Sequence, residues 1–403
     1  MNSTKNGKIK KRCKRVNKQM DFTKVRVLVT DGGGRQTPTI IRGLKEIGCH
    51  VTVLCRNKLD LCYVSKYPDR KLLVQDMVGA EGFHKVILRE ISTGNYDALF
   101  PIAENSTNLV TQHEDEYKKY VRIACAPRDI YIQAFDKQKT FELAMAAGIP
   151  CPITRHDGED IDDFLKRVPF PIIIKPRNGV GSIGFHKMDT PEQFRAYIAE
   201  KQINIDEYVV QEFIHFTQRR SGYILMDGKG NAKTALVSEV KRWFPLDAGT
   251  GTCIQTVDDP VLLDNAIKLL QRMNWKGFAN VCFMKDDHDG VVKLLEINGR
   301  IPASVKICFM CGSNVSKQMM ELAFDQEVTA YPVNTKFGLL TRHFQADFIW
   351  FLKSPNRFHC SPSWFSWKNT KDIVFSADDP LPFFAYSIEQ VTHYKSAMKK
   401  RER

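Results

Sequence analysis

After a polar start, the chain runs Val25-Arg26-Val27-Leu28-Val29-Thr30, an apolar stretch that predicts a strand. Asp31-Gly32-Gly33-Gly34 follows, and then Ile40, Ile41, Leu44 and Ile47 recur at the spacing of a helix with one buried face. Gly48 closes that helix, and Val51–Cys55 predicts a second strand. A β-α-β opening of this kind begins a doubly wound, Rossmann-like sheet. A third strand is expected at Ala98–Ile102, leading to a polar helix around Leu109–Tyr120. A helix at Lys139–Ala147 stops at Gly148, with Pro150 and Pro152 beyond it.

Past that break the period changes. A helix near Ile161–Arg167 precedes a strongly β run, Pro171–Lys175, and a glycine-rich loop. Alternating patterns recur at Tyr208–Gln211, Ser221–Met226, Leu236–Val240, Phe278–Met284 and Val291–Ile297, with a helix at Val261–Met273 among them. This is the pattern of an α+β unit built from antiparallel hairpins. From Phe337 to Tyr386 the chain is crowded with rings, among them Phe344, Phe348, Trp350, Phe351, Phe358, Trp364, Phe365, Trp367, Phe383 and Phe384. The expectation is a small satellite core packed on the main unit. The rival, a membrane-surface patch helped by a basic arm, requires these rings to be exposed.

Composition changes this picture in one respect. The 403 residues carry a formal charge of +13, which invites a nucleic-acid or anionic-membrane reading. Residues 1–20 hold eight basic residues and no acid, and the last nine hold a net +4, so 21–394 is left near +1. The charge sits in the tails, and a near-neutral body argues against a structured nucleic-acid face. The basic arm is read as solvated, its partner unknown. It has no apolar run behind it, so it is not a secretory signal. No run of about 18 apolar residues predicts a membrane span. Eleven cysteines, an odd number spread through a long chain, fit a reducing cytoplasm, and Cys308 and Cys311 read as buried thiols.

Candidate chemistry lies in two places. The three consecutive glycines after the first strand lack the G-x-G-x-x-G spacing, and Arg56-Asn57-Lys58 stands where a dinucleotide site wants an acid. That half reads as scaffold and substrate wall. In Ile172-Ile173-Ile174-Lys175-Pro176-Arg177-Asn178-Gly179-Val180-Gly181-Ser182-Ile183-Gly184, the lysine precedes the glycines at a strand's end. A Walker loop has the reverse order, so this reads as a hairpin tip whose N–H groups cover phosphates. The second place is Glu296-Ile297-Asn298-Gly299-Arg300. On a strand Glu296 and Asn298 share a face, with Leu295 and Ile297 behind them. Two hard oxygen ligands suit Mg²⁺, and a neighbouring Arg grips a carboxylate or phosphoryl group. A polar face open to solvent is the alternative for the strand alone.

Together these segments resemble the ATP-grasp superfamily, and within it one synthetase unit of the carbamoyl-phosphate synthase large chain, over roughly residues 24–330. The resemblance implies a Rossmann-like pre-ATP-grasp domain at 23–126, an ATP-grasp fold at 127–333 and a small aromatic-rich subdomain at 334–394, with tails at 1–22 and 395–403. It implies that Lys137 and Lys175 contact ATP phosphates and that Asn178, Gly179, Gly181 and Ser182 belong to the closing loop. It places Gln211, Glu212, Phe213 and Ile214 at the adenine edge, Glu296 and Asn298 on Mg²⁺ (or Mn²⁺), and Arg300 with Lys175 at the reacting groups. Thr250, beside Gly249 and Gly251, falls where relatives have a substrate loop, with Lys241 and Arg242 before it as candidate anion contacts. Two departures stand out: Cys282 replaces a further metal ligand, and Gln218-Arg219-Arg220-Ser221 lacks the usual ribose acid. The implied activity is an ADP-forming ligase that joins a small carboxylate to an amine through an acyl phosphate. A nucleotide-binding protein with weakened or lost turnover is the alternative. A homodimer is left open.

Overall fold

The computed structural model describes residues 20–74, 79–179, 184–246, 249–332 and 336–390. Arg26–Val29, buried at three of its four positions, pairs in parallel with His50–Cys55 on one side and Ala98–Phe100 on the other. Arg70–Leu73 and Arg122–Ile123 complete a five-stranded parallel sheet at its two edges. The strand order reverses between Arg26–Val29 and Ala98–Phe100, and sheets of this type open a crevice beyond the strands' carboxyl ends at such a point. Asp31 and the start of the helix Glu104–Gln112 meet there, with the Asp31 carboxylate accepting from Ser106 Oγ and the Ala103 N–H.

Two elements of this domain leave little trace in the sequence. Arg70–Leu73 has no buried position, so no alternation marks it, and Gly79–Ile91 buries only Val86, Ile87 and Ile91. Ala98–Phe100 is accordingly the fourth strand of the chain, not the third. The helix expected over 109–120 is two, Glu104–Gln112 and Glu114–Tyr117, separated at His113, whose backbone departs from helical angles. The triple glycine is a packed corner. A Cβ on Gly32 would stand 2.8 Å from the Leu54 carbonyl oxygen, and one on Gly33 2.8 Å from an Asp60 carboxylate oxygen.

The second half holds two sheets. Ile172–Pro176 lies between His186–Met188 and Tyr208–Glu212 in a three-stranded antiparallel sheet with its own core of Phe164, Ile172, Ile174, Phe194 and Val210. Seven strands form the larger sheet, in the spatial order Val292–Asn298, Lys276–Asp286, Phe216–Asp227, Ala232–Phe244, Thr250–Val257, Leu340–Arg342 and Thr370–Asp372. Thr250 thus begins a strand where a substrate loop was expected. The large sheet and the opening sheet share a core, since Val27, Val29 and Ile40 cluster with Leu225, Leu236, Val305 and Met319. Helices Thr37–Glu46 and Val315–Ala323 meet at Gly43, where an added Cβ would lie 2.6 Å from Ser316 Oγ.

The aromatic region differs from a closed satellite core. Its strands extend the large sheet, and among its rings Trp350 is buried while Phe348, Phe358, Phe365, Trp367, Phe375 and Phe384 are exposed. Beside Trp350, the helix Phe344–Lys353 packs Asp347 inward, fully buried. Its carboxylate accepts from Arg242 Nε at 2.8 Å and Nη2 at 3.0 Å, from Arg342 Nε at 2.9 Å and Nη2 at 2.6 Å, and from Thr252 Oγ1 at 2.9 Å. Arg242 is therefore not a free anion contact: it is buried under Asp347, and Lys241 pairs with Glu239. Removing one member of such a pair strands buried charge. Asp347→Ala is expected to lower stability by about 3–5 kcal/mol, read from the urea unfolding midpoint.

Candidate functional site

Asp136 caps the helix Lys137–Ala146, its carboxylate accepting from the Gln138 and Lys139 N–H groups. The same carboxylate takes two parallel bonds at 3.0 Å from Arg177 Nε and Nη2. This fork ties the helix start to the residue just past the strand Ile172–Pro176. Lys137 consequently stands against the glycine hairpin, its Nζ donating to the Gly179 carbonyl at 2.8 Å. Lys175, on the strand, holds its ammonium 5.0 Å from the centre of the Phe141 ring. Desolvation lowers both lysines. Lys175 falls to about 8, with Glu296 opposing the shift and Lys137 adding to it. Lys137 is lowered too, against the pull of Glu296, Glu104 and Asp136.

The strand Val292–Asn298 supplies that carboxylate. It pairs antiparallel with Lys276–Asp286, but the register slips: Cys282 opposes Glu296 while Phe283 opposes Leu294. Leu295 is left over as a bulge, so Leu294 and Ile297 are the buried positions rather than Leu295 and Ile297. Glu296 and Asn298 share a face as the sequence predicts. Asn298 Nδ2 donates to Glu296 Oε1 at 3.1 Å, and Arg300 Nη2 donates to Asn298 Oδ1 at 3.0 Å. Arg300 Nε lies 3.4 Å from Glu104 Oε2, and the other Glu104 oxygen accepts from Tyr131 at 2.8 Å. The ladder Glu296–Asn298–Arg300 therefore ends on the crevice of the opening sheet.

Hard oxygens on Glu296 and Asn298 fit a magnesium-type cation. The Asn298 amide presents nitrogen to Glu296, and a half-turn of the amide brings its oxygen beside the carboxylate. Cys282 does not fit that role. Its thiol donates to Asn280 Oδ1 at 3.3 Å, and burial, with Glu296 nearby, pushes it up to about 12. A protonated thiol is a poor ligand for such an ion, so the donor set fits a cation at Glu296 and Asn298 and none at Cys282.

The expected adenine edge adjoins Lys175 on the neighbouring strand, where Ile173 pairs with Gln211 and Lys175 with Val209. The Gln211 and Glu212 side chains have structural partners: Gln211 Nε2 donates to Thr154 Oγ1 at 3.2 Å, and Glu212 pairs with Lys293 at 3.0 Å. The N–H groups of Glu212 and Phe213 bind the Ile153 and Pro171 carbonyls. Ile214 is buried, and its N–H has no acceptor among the described residues. Asn178 and Gly179 stand exposed at the hairpin, whereas Gly181 and Ser182 lie outside the described residues.

Sequence reasoning missed Glu104 and Arg219. Arg219 stacks on Trp243, 4.9 Å from the ring centre, and donates from Nη2 to the Gly249 carbonyl at 2.7 Å. Its buried Nε has no partner among the described residues; Glu296 is its charged neighbour, and the Cys282 thiol is also nearby. Phe216 at i−3, whose ring also lies under the guanidinium, was a signal in the sequence, but Trp243 comes from a distant strand.

A family described as ATP-grasp in the biosynthetic pathway with Ter operon matches residues 227–346. The biotin carboxylase domain of Hydrogenobacter thermophilus 2-oxoglutarate carboxylase, solved with MgADP, ADP and bicarbonate, superposes with a TM-score of 0.64 at 15% identity. That match covers 78% of this chain and 73% of the domain. Campylobacter jejuni biotin carboxylase, solved as a β-γ-ATP complex, gives 0.63 at 16% identity over 79% and 74%. The chain has the ATP-grasp fold. It is also 25% identical over 286 residues to the carbamoyl phosphate synthase large chain of Thermoplasma volcanium, covering 65% of itself and 26% of that relative. It is 21% identical over 245 residues to the D-aspartate ligase of Enterococcus faecium, covering 55% and 58%. The chain spans about a quarter of the length of the carbamoyl phosphate synthase chains it matches.

The electrostatics of this site can be tested without a substrate. Glu296 favours the charged form of Lys175, so Glu296→Gln is expected to move that lysine further below about 8. The pH dependence of Lys175 methylation, followed by peptide mass, measures it; an unchanged or raised value would contradict the proximity.

Proposed function

We propose that this chain is an ATP-dependent, ADP-forming ligase that joins a small carboxylate to an amine through an acyl phosphate. The observation that carries the proposal is the convergence of two desolvated ammonium groups, Lys137 and Lys175, on Glu296, at the head of a ladder that ends in Arg300. Phosphoryl transfer requires positioning and charge neutralisation more than covalent protein chemistry, and this site offers those. In this reading the site lies at the junction of an opening domain at 23–126 and a grasp unit at 127–333.

In this reading each group has a role. The adenine edge meets the buried Ile214 N–H on the run Gln211–Ile214, and Lys175 and Lys137 bind the phosphates. Because Lys137 already bonds the Gly179 carbonyl, phosphate binding exchanges that contact and frees Asn178 and Gly179 to approach the nucleotide. Glu296 and Asn298 would hold Mg²⁺, which when bound neutralises charge on the transferring phosphoryl group. A substrate carboxylate oxygen attacks the γ-phosphorus and ADP departs with the β-γ bridging oxygen. Arg300, steadied by Glu104 and Asn298, grips the acyl phosphate, with the free Arg219 Nε as a further cationic contact. An amine nitrogen then attacks the acyl carbon; inorganic phosphate leaves and the nitrogen loses a proton to solvent.

A second reading, a nucleotide-binding protein without turnover, is favoured by the neutral Cys282 thiol in the position of a further metal ligand. ADP release with carboxylate and amine panels, and trapping of the acyl phosphate by hydroxylamine, separate the two: calorimetric ATP·Mg binding without ADP would select the second. Under the first reading Glu296→Ala is expected to lower ADP release by about 100-fold or more, and undiminished turnover would remove the metal assignment. The pH dependence has a defined sign. The charged form of Lys175 binds phosphate, and in the free protein it is lost above about 8. Affinity for a non-hydrolysable ATP analogue should fall about tenfold per pH unit above that value, until the bound-state pKa is reached. Lys175→Arg should flatten the profile.

A further inference from the structure

The helix Phe344–Lys353 buries its acid and turns apolar side chains to solvent. Asp347 is fully buried and Trp350 lies inward beside it, while Phe348 and Leu352 are exposed and Phe344 and Phe351 are half-buried at their edge. The helical segment 381–390 repeats the arrangement, with Ala385 and Tyr386 buried and Leu381, Phe384 and Ile388 exposed. Ring contacts make the two faces continuous: Phe375 meets Phe383, Phe383 meets Phe344, Phe344 meets Phe348, and Phe348 reaches Trp364, which touches Phe351 and Phe365. Phe358 and Phe365 are 65% and 62% exposed, so the patch is not a core with a few escaped edges.

Charge around the patch is sorted. Three acids of this region, Asp347, Asp372 and Asp379, are buried and hydrogen-bonded inward. The accessible acids are Asp378, bonded to Tyr67, and Glu389. Lys353, Lys368 and Lys371 are exposed and Arg357 half-buried, none paired with an acid among the described residues. The sequence continues from 391 into a segment with Lys395, Lys399, Lys400, Arg401 and Arg403.

We propose that this aromatic face is a docking surface for an anionic lipid bilayer, on which the protein lies with its rings at the headgroup boundary and its lysines against lipid phosphates. Exposed aromatic side chains with a basic surround are the chemistry of interfacial binding, in which apolar burial and attraction to anionic lipid act together. No helix among the described residues is long and apolar enough to cross a membrane, so the contact is one of lying on the surface.

The test is sedimentation of the full chain with phosphatidylcholine vesicles, with and without phosphatidylglycerol. Binding is expected with the anionic vesicles, weakening as salt rises. It should fall about tenfold or more in Leu352→Ser/Phe358→Ser/Phe365→Ser, and Lys353→Glu/Lys368→Glu/Lys371→Glu should abolish the preference for anionic lipid. Should the serine variant not fold, a blue shift of Trp367 fluorescence in the otherwise unaltered chain on adding anionic vesicles, absent in Trp367→Phe, supports the proposal by itself. Absence of vesicle binding, or binding unaffected by the serine substitutions, overturns it. A dimer in light scattering that the same substitutions dissociate, without vesicle binding, would assign the face to a second copy of the chain instead.

Discussion

Two lysine ammonium groups brought together out of water repel each other and lose hydration, and a nearby carboxylate is what lets both stay charged. Lys137 and Lys175 stand in this relation to Glu296, and much of the surrounding architecture holds that arrangement. The Asp136–Arg177 fork sets where the helix carrying Lys137 begins relative to the strand carrying Lys175. The bulge at Leu295 sets which way Glu296 points: it absorbs one residue of the strand, so that both Leu294 and Glu296 are accommodated against Phe283 and Cys282. Without the slip, strict alternation would turn the carboxylate with Leu294 toward the core. The ammonium groups would then lack their counter-charge, and their pKa values would fall further.

How far this was visible in the sequence depends on the range of the interaction. The alternation around Glu296 and Asn298 is local, so their shared face was readable, and so was the strand-end lysine followed by glycines. The bulge was not, because it is a property of the pairing with Lys276–Asp286 and leaves no mark in the Val292–Asn298 pattern itself. Arg219 and Glu104 escaped for a related reason. Each is an ordinary polar residue until Trp243 or Arg300 arrives from elsewhere in the chain. Arg242 shows the opposite failure. Beside Lys241 it looked like an available cation, but its partner is Asp347, 105 residues away. Edge elements such as Arg70–Leu73 were missed because a strand with no buried position carries no hydrophobic period.

The net charge of +13 gives little indication of how charge is used inside the molecule. In the folded body many cations are individually matched, among them Arg177 to Asp136 and Asp157, Arg220 to Glu239 and Asp259, and Lys293 to Glu212 and Asp286. Against that background the incompletely matched groups stand out. Lys137 and Lys175 share one carboxylate, and Arg219 Nε has no acceptor among the described residues. These groups cluster around Glu296, where an arriving polyanion would supply the missing charge. The reading of the site as a phosphate site rests on that local deficit, not on the total.

The same reasoning links the core of the large sheet to the outer face of the aromatic region. Arg242 and Arg342 sit on strands of that sheet and are almost completely buried, so an acid must come to them from the layer above. Asp347 supplies it, and a helix that directs its acid inward at 347 carries positions 348 and 352 away from the core, with 344 and 351 half-buried on the acid's flank. Polar residues there would have made an unremarkable surface helix. The chain instead has Phe348 and Leu352, and it repeats the outward apolar choice at Leu381, Phe384 and Ile388. Rotating the first helix to hide its rings would expose Asp347 and leave two buried guanidinium groups without a counter-charge, a penalty of several kcal/mol. The electrostatics of the interior therefore lock the rings outward, and the patch is a fixed feature of the folded protein.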